Sequence, residues 1–341
     1  MIRRLPRFGG SFRPRSRGGR RRSAKESIVI HVENLTKHYG SFRALDSVHF
    51  HMDRGEVVGF LGPNGAGKTT TIKILTCNLF PESGTVKVAG FDVTTDEIEI
   101  QRRIGYLAES APLYRDMRVR EYLKFMGEVR GLSGARLSDA IDRVARQCGI
   151  VKYLPRSIGH LSKGFRQRVG LAQALIHEPE VLILDEPYTG LDPLQIIEIR
   201  NLIKDYGREH TVLLSSHILS EVEATCNRVL IIHEGRIVTD ESAALLLHQD
   251  SVFARVIGPD PEILAHFEHF DKAKLIGSHR LGTADGVEVH LKPEGCTLDE
   301  LATAVSAACN AHDWSLLYLG PGTVTFEDLF LQFTRKNGVG A

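Results

Sequence analysis

Nine residues constrain this chain more than any others: Gly62-Pro63-Asn64-Gly65-Ala66-Gly67-Lys68-Thr69-Thr70. They follow Val57-Val58-Gly59-Phe60-Leu61, an apolar run that predicts a buried strand. They precede Thr71-Ile72-Lys73-Ile74-Leu75, which predicts the first turns of a helix. Strand, glycine-rich turn, Lys-Thr and helix in that order form the phosphate-binding P-loop. Glycine tolerates backbone conformations that a side chain forbids, so successive N–H groups can converge on one anion. The helix contributes the positive end of its dipole. In this pattern Lys68 reaches the β- and γ-phosphates, and the Thr69 hydroxyl holds Mg²⁺. The alternative, an ordinary glycine-rich turn, is disfavoured by the flanking strand and helix and by the stretches described next.

Length and composition bound what surrounds that loop. At 341 residues the chain has room for one large and one small domain, and 42% apolar with 25% charged residues is ordinary for a globular protein. No run of 18 apolar residues occurs, so the chain is not expected to span a membrane by itself. The five cysteines (Cys77, Cys148, Cys226, Cys296, Cys309) form no C-x-x-C pair and read as buried thiols of a reducing compartment, not a disulfide or zinc framework. The first 25 residues carry ten Lys and Arg and no acid, which leaves the remainder with 33 basic against 42 acidic residues. A body with a net charge of −9 is not the footprint of a general nucleic-acid binder, and no specific nucleic acid is expected. The basic stretch 1–27, rich in Gly, Ser and Pro, has too little to bury and is expected to be a disordered tail. Contact with anionic lipid, contact with nucleic acid and a targeting role remain open for it, although its Gly and Pro spoil a transit helix. It has no apolar core for a secretory signal, so a cytoplasmic location is expected.

Further motifs follow in order. Ile28–Phe50 alternates and turns at Gly40, predicting short antiparallel strands. Tyr39 in that turn is either a core aromatic or a platform on which an adenine stacks. Thr85–Ala89 and Ile104–Leu107 read as a strand pair ending at Glu109. From 119 to 149 the apolar spacing becomes helical, with Gly131 to Gly134 separating two helices. Leu161-Ser162-Lys163-Gly164-Phe165 opens another helix with Ser162 as its N-cap. Val181-Leu182-Ile183-Leu184 suits a strand buried on both faces, and it ends in Asp185-Glu186-Pro187. Carboxylates at the C-terminal end of such a strand lie where open α/β sheets bind ligands. Asp185 is expected to orient Mg²⁺ through water, and Glu186 to act as general base for an attacking water. Val212-Leu213-Leu214 is another buried strand, ending in Ser215-Ser216-His217; His217 is either structural or a γ-phosphate contact, and its position at a strand end favours the latter.

The ordered set of P-loop, Leu-Ser-x-Gly, Asp-Glu-Pro, Gly190-Leu191-Asp192-Pro193 and Ser-His resembles the nucleotide-binding subunit of an ABC transporter over roughly 28–240. The stretch 104–130 and Leu-Ser-Lys-Gly-Phe-Arg-Gln-Arg-Val are similar to ABC-2 type exporter ATPases, the gliding-motility-associated and multidrug kinds among them. The resemblance implies a P-loop ABC cassette: a mixed-sheet core, an antiparallel β subdomain and a helical subdomain over about 111–165, together spanning 28–245. It also implies a homodimer that buries two ATP molecules and powers a separate integral-membrane permease from its cytoplasmic face. Each site then takes Gly62 to Thr70, Asp185, Glu186 and His217 from one copy and Ser162 and Gly164 from the other. Asp192 links the two sites, and Tyr39 matches the adenine-stacking position. Glu109 stands where the family usually has a glutamine near Mg²⁺ and the attacking water. Lys163, Phe165 and Tyr188 also depart from the usual residues. A soluble ABC ATPase acting on nucleic acid or the ribosome is the alternative, with only the basic tail in its favour.

Residues 250–341 lie beyond the cassette. Their pattern predicts βαββαβ, a small α+β ferredoxin-like module, and Thr325–Leu331 resembles the terminal helix of exporter ATPases. A dimerisation cap and a ligand-sensing domain are both open readings of it.

Overall fold

In the computed structural model the strand before the P-loop, β3 (Val57–Leu61), is buried along its whole length. The structure describes residues 28–243, 251–281 and 286–321; the basic tail over 1–27 and the segment Thr325–Leu331 lie outside them. β3 runs parallel to β8 (Thr211–Ser216) on one side and to β9 (Arg228–His233) on the other. β8 pairs in parallel with β7 (Val181–Asp185), and β7 with β6 (Ile104–Leu107). β10 (Arg236–Ser242) closes the far edge, antiparallel to β9, giving the order β10-β9-β3-β8-β7-β6.

The parallel strands are continuously apolar because both faces of the sheet are covered. Successive side chains point to opposite faces, so Leu182, Leu184, Val212 and Leu214 enter one core while Val181, Ile183 and Leu213 enter the other. The first core is closed by α3 (Val119–Val129), α4 (Gly134–Gln147), α5 (Lys163–Leu175) and α6 (Pro193–Gly207). The helical spacing read in the sequence is the packing surface: Val119, Tyr122, Leu123, Leu137, Ile141 and Val144 are all buried. The second core is closed by α1 (Lys68–Leu75) and a separate antiparallel sheet. That sheet holds β1 (Ile28–Tyr39), β2 (Phe42–Asp53), β4 (Ser83–Val88) and β5 (Phe91–Asp92) in the order β2-β1-β4-β5.

Two expectations are corrected here. Thr85–Ala89 and Ile104–Leu107 do not pair: β4 lies against β1, whereas β6 joins β7 in the other sheet. The helix α2 (Glu97–Arg103) intervenes and carries the chain from one sheet to the other. The cysteines carry free thiols, but only Cys148, Cys226 and Cys309 are buried; Cys77 and Cys296 are half-buried.

The C-terminal strands β11 (Val252–Ile257), β12 (Ala273–Arg280), β13 (Gly286–Pro293) and β14 (Ser315–Pro321) form a third sheet in the order β12-β13-β11-β14, every pairing antiparallel. The helices α8 (Asp260–Glu268) and α9 (Leu298–Ala311) complete the ferredoxin-like βαββαβ pattern. Ile263, Phe267, Leu301 and Val305 from the helices share a core with Val252, Ala254 and Val256 of β11, Val289 of β13 and Trp314. Among the described residues no helix is long and apolar enough to cross a membrane.

The turn after β7 explains Tyr188, which stands where a small polar residue is usual. Its ring is buried, and its hydroxyl shares a hydrogen bond of 2.9 Å with Thr225 Oγ1, just beyond the short helix α7 (Leu219–Glu223). Burial pushes the phenol well above its ordinary pKa, so it stays protonated at neutral pH. Tyr188→Phe is expected to lower unfolding free energy by about 1 kcal/mol, measured by urea denaturation, with little change in the slope of the transition.

Candidate functional site

Parallel pairing decides which residues meet. β3, β8 and β7 are neighbours, and the register sets Leu61 beside Ser216 and Asp185 beside Ser215. The P-loop, His217 and the Asp185-Glu186 pair therefore emerge side by side at the C-terminal ends of adjacent strands, the position where open α/β sheets hold ligands.

The P-loop closes tightly on itself. Gly67 caps α1 with φ +111°, and a Cβ there would lie 2.7 Å from Leu45 Cδ2 and 2.9 Å from the Ala44 carbonyl. Only glycine satisfies both the left-handed backbone and that close approach. Gly62 donates its N–H to the Ser216 carbonyl at 3.3 Å, tying the loop to β8. Lys68 is buried; its ammonium donates to the Gly62 carbonyl at 2.6 Å and the Pro63 carbonyl at 3.2 Å and lies 3.6 Å from Glu186 Oε1. Burial lowers its pKa from the ordinary lysine value, and the Glu186 charge opposes that shift.

The two carboxylates differ in surroundings. Asp185 is buried beneath the surface and accepts a hydrogen bond of 2.6 Å from the Ser215 hydroxyl. Glu186 is also buried, but it lines the cleft and holds φ +49°, a left-handed backbone conformation that is uncommon for a residue with a side chain. Its Oε2 lies 3.0 Å from His217 Nδ1, so its carboxylate sits between the Lys68 ammonium and the His217 imidazole. The His217 side chain is 45% exposed and stands at the mouth of the cleft.

Lys68, Glu186 and His217 line a cleft of about 270 Å³ together with Pro63, Asn64, Gly65, Gly67, Thr69, Thr70 and Glu109. Tyr39 forms part of its wall and is half exposed, as a stacking platform requires. Gly62, Ala66 and Asp185 are not part of the lining; Gly62 packs against Ile232, and Ala66 and Asp185 are buried. Phe42, Ala44 and Thr189 line the cleft without having been singled out in the sequence. Phe42 follows Tyr39 across the Gly40 turn, which is the signal that could have found it. Thr189 is placed by its backbone, donating to the Glu186 carbonyl at 3.2 Å, and offers no pattern to read.

Ser162, Gly164 and Asp192 lie outside this cleft. Ser162 caps α5 by accepting from the Phe165 N–H at 3.4 Å, and Asp192 caps α6 by accepting from the Gln195 N–H at 2.9 Å. The two helix starts interlock. A Cβ on Gly164 would come within 2.8 Å of Gln195 Cδ, and one on Gly190 within 2.6 Å of Lys163 Cε. Lys163 therefore lies across the Gly190 turn, and Gln195 lies across Gly164. Phe165 packs against Tyr153 with ring centres 3.9 Å apart, which accounts for an apolar residue there.

The donor set near the loop fits magnesium. Thr69, Asp185 and Glu109 offer hard oxygen atoms, and Mg²⁺ uses one or two carboxylates together with phosphate oxygens and water. Among the described residues no group of three or more His, Cys, Asp or Glu could hold a metal unaided. A larger groove of about 670 Å³ runs between α4 and α6. It holds no glycine-rich turn, and its Arg143 is engaged by Glu178 at 3.2 Å.

The comparisons agree with this geometry. A family model described as ABC transporter matches residues 45–189. The bacitracin transport ATP-binding protein BcrA of Bacillus licheniformis is 41% identical over 216 residues, 63% of this chain and 70% of that protein. The ABC transporter ATP-binding protein NatA of Bacillus subtilis is 39% identical over 198 residues, 58% of this chain and 80% of that protein. A solved ATP-binding subunit of an ABC transporter superposes with a TM-score of 0.59 at 32% identity, covering 63% of this chain and 90% of that one. With its P-loop, its paired carboxylates and these relatives, the chain belongs to the ATP-binding subunits of ABC transporters, a family of ATPases.

Proposed function

We propose that this chain hydrolyses ATP as one half of a homodimer and thereby powers a separate membrane permease, with export as the direction of transport. The observation that carries the reading is the Glu186 carboxylate, held between Lys68 and His217 at the rim of a P-loop cleft. A general base must lie within reach of the proton it takes and keep its charge until then. Lys68 Nζ, 3.6 Å from Oε1, and His217 Nδ1, 3.0 Å from Oε2, hold that carboxylate in place.

In this reading the backbone N–H groups of Gly62 to Thr70 cradle the phosphates, and Lys68 exchanges its loop carbonyls for β- and γ-phosphate oxygens. Tyr39 stacks on the adenine. Thr69 and Asp185 hold Mg²⁺, with Glu109 beside them. When bound, that ion neutralises charge on the β- and γ-phosphate oxygens. Glu186 takes the proton of the attacking water, and His217 contacts the γ-phosphate. Ser162 and Gly164 of a second copy present the N-terminus of α5 to the same phosphate, where its dipole favours an anion. Asp192 joins the two sites. The γ-phosphate then distinguishes the closed dimer from separated chains, which is the differential contact that a population shift requires.

We assign residues 28–245 to the cassette, 111–165 to its helical subdomain and 250–341 to a domain that stabilises the dimer. The names of the relatives, bacitracin transport among them, support a role in transport, and the resemblance to ABC-2 exporter ATPases supports export. The permease contact is placed on the helical subdomain, which exposes Tyr114, Phe125 and Val129. Tyr114 and Phe125 pack edge to face at 5.9 Å, leaving an apolar ridge on the surface. Binding there would hold the protein at the cytoplasmic side of the membrane.

Three outcomes are expected. Glu186→Gln keeps the shape of the side chain and loses its basicity, so kcat should fall by about 10²- to 10⁴-fold with ATP affinity retained, as read by steady-state kinetics and nucleotide titration. Gly164→Ala should abolish hydrolysis while a single chain still binds ATP; an equal loss of both would contradict a site shared between copies. A tagged protein purified from native membranes should bring a polytopic membrane protein in stoichiometric amount, and Tyr114→Ala with Phe125→Ala should reduce it. Recovery of soluble or ribosomal partners alone would overturn the transport role.

A further inference from the structure

We infer that Ser215 is a positioning residue for ATP hydrolysis, one that sets both carboxylates of the site from the neighbouring strand. The inference rests on the roles proposed above for Asp185 and Glu186. Ser215 lies in β8 and is fully buried. Its hydroxyl donates to Asp185 Oδ1 at 2.6 Å and accepts the Glu186 N–H at 3.0 Å. A serine hydroxyl has one proton, and here it is committed to Asp185. That bond uses one oxygen of the Asp185 carboxyl as its acceptor. The bond also fixes which oxygen is engaged and so how the carboxyl plane is turned.

The second bond acts on Glu186. At φ +49° its backbone holds a conformation of low intrinsic population, which persists only where the surroundings fix it. The Ser215 hydroxyl bonds the N–H of that residue. His217, two residues further along the same chain, meets the Glu186 side chain at 3.0 Å. The end of β8 thus grips the proposed base at its backbone and at its carboxylate. Ser216, between them, faces elsewhere: its hydroxyl donates to Glu221 Oε2 at 2.6 Å and accepts the Ile218 N–H at 3.0 Å, ordering the start of α7. Each residue of Ser-Ser-His therefore has a separate set of bonds, and Ser215 alone of the three reaches both Asp185 and the Glu186 backbone.

Alanine at 215 is smaller than serine and fits the buried site, but it leaves the Glu186 N–H and an Asp185 oxygen unpartnered. Partners that orient ligating carboxylates typically carry 10- to 100-fold in metal affinity or activity. The test uses the full chain and its Ser215→Ala and Ser215→Thr variants, with ATP affinity titrated in EDTA and in Mg²⁺, kcat, and thermal melting. Ser215→Ala is expected to lower kcat by about 10- to 100-fold, to weaken ATP binding in Mg²⁺ and to leave binding in EDTA unchanged. Ser215→Thr, which restores a hydroxyl, is expected to recover most of both. Equal loss of affinity in EDTA and Mg²⁺, tracking a lower melting temperature in both variants, would overturn positioning in favour of a purely structural role. Wild-type kcat and Mg²⁺ response in Ser215→Ala would overturn it outright. Should wild-type protein neither bind nor hydrolyse ATP, the proposed function is what fails, and that result is distinct from either of these.

Discussion

The ion pair between Lys68 and Glu186 joins the two halves of the site, and the architecture of the core follows from making it possible. Each group comes from the C-terminal end of a strand, β3 through the P-loop and β7 directly, with β8 between them. Both side chains are largely withdrawn from water, so neither charge is cheap to bury alone. The pair at 3.6 Å is not a strong source of stability by itself. Its value is geometric: it fixes the proposed base and the proposed phosphate-binding cation 3.6 Å apart. Lys68 meanwhile satisfies its remaining protons on loop carbonyls, groups that a phosphate can replace without moving the backbone.

Burial on both faces is what lets the strands present their ends so regularly. Leu182 and Leu184 pack to one side and Val181 and Ile183 to the other, so β7 has little freedom to shift its register. Asp185 and Glu186 follow immediately and inherit that rigidity. The close approach of Gly67 to the Ala44 carbonyl ties the P-loop to the antiparallel sheet that carries Tyr39. The proposed base, phosphate cradle and adenine platform are therefore positioned by one continuous packed body, although they come from three distant parts of the sequence.

Much of this is legible in the sequence because its signals are local. Val57–Leu61 and Val181–Leu184 read as buried strands from their unbroken apolar runs, and the turns that follow carry glycine or paired carboxylates. The helical spacing of Leu137, Ile141 and Val144 identifies core positions directly. Failures come where partners are distant in sequence. Thr85–Ala89 and Ile104–Leu107 read as a strand pair, but pairing depends on β1 and β7, which their own residues do not reveal. Ser215 stands in the sequence only as part of a strand end before His217, and its two bonds emerge from the register with Asp185. Tyr188 is explained only by Thr225, 37 residues further on, beside its hydroxyl. Ser162 and Gly164 are legible as a helix start, yet their proposed partner is a phosphate bound to another copy, which a single chain does not display.

If the proposed function holds, ATP joins two copies of this chain through one shared site. The direct measurement is the solution mass of the Glu186→Gln protein by light scattering, with and without Mg²⁺-ATP at a concentration where nucleotide binding is shown to be saturated. The expected result is a shift from the mass of one chain, 37.9 kDa, to twice that value on adding ATP, and no shift with ADP. A mass that stays at one chain with ATP fully bound, or is already doubled regardless of nucleotide, would contradict it.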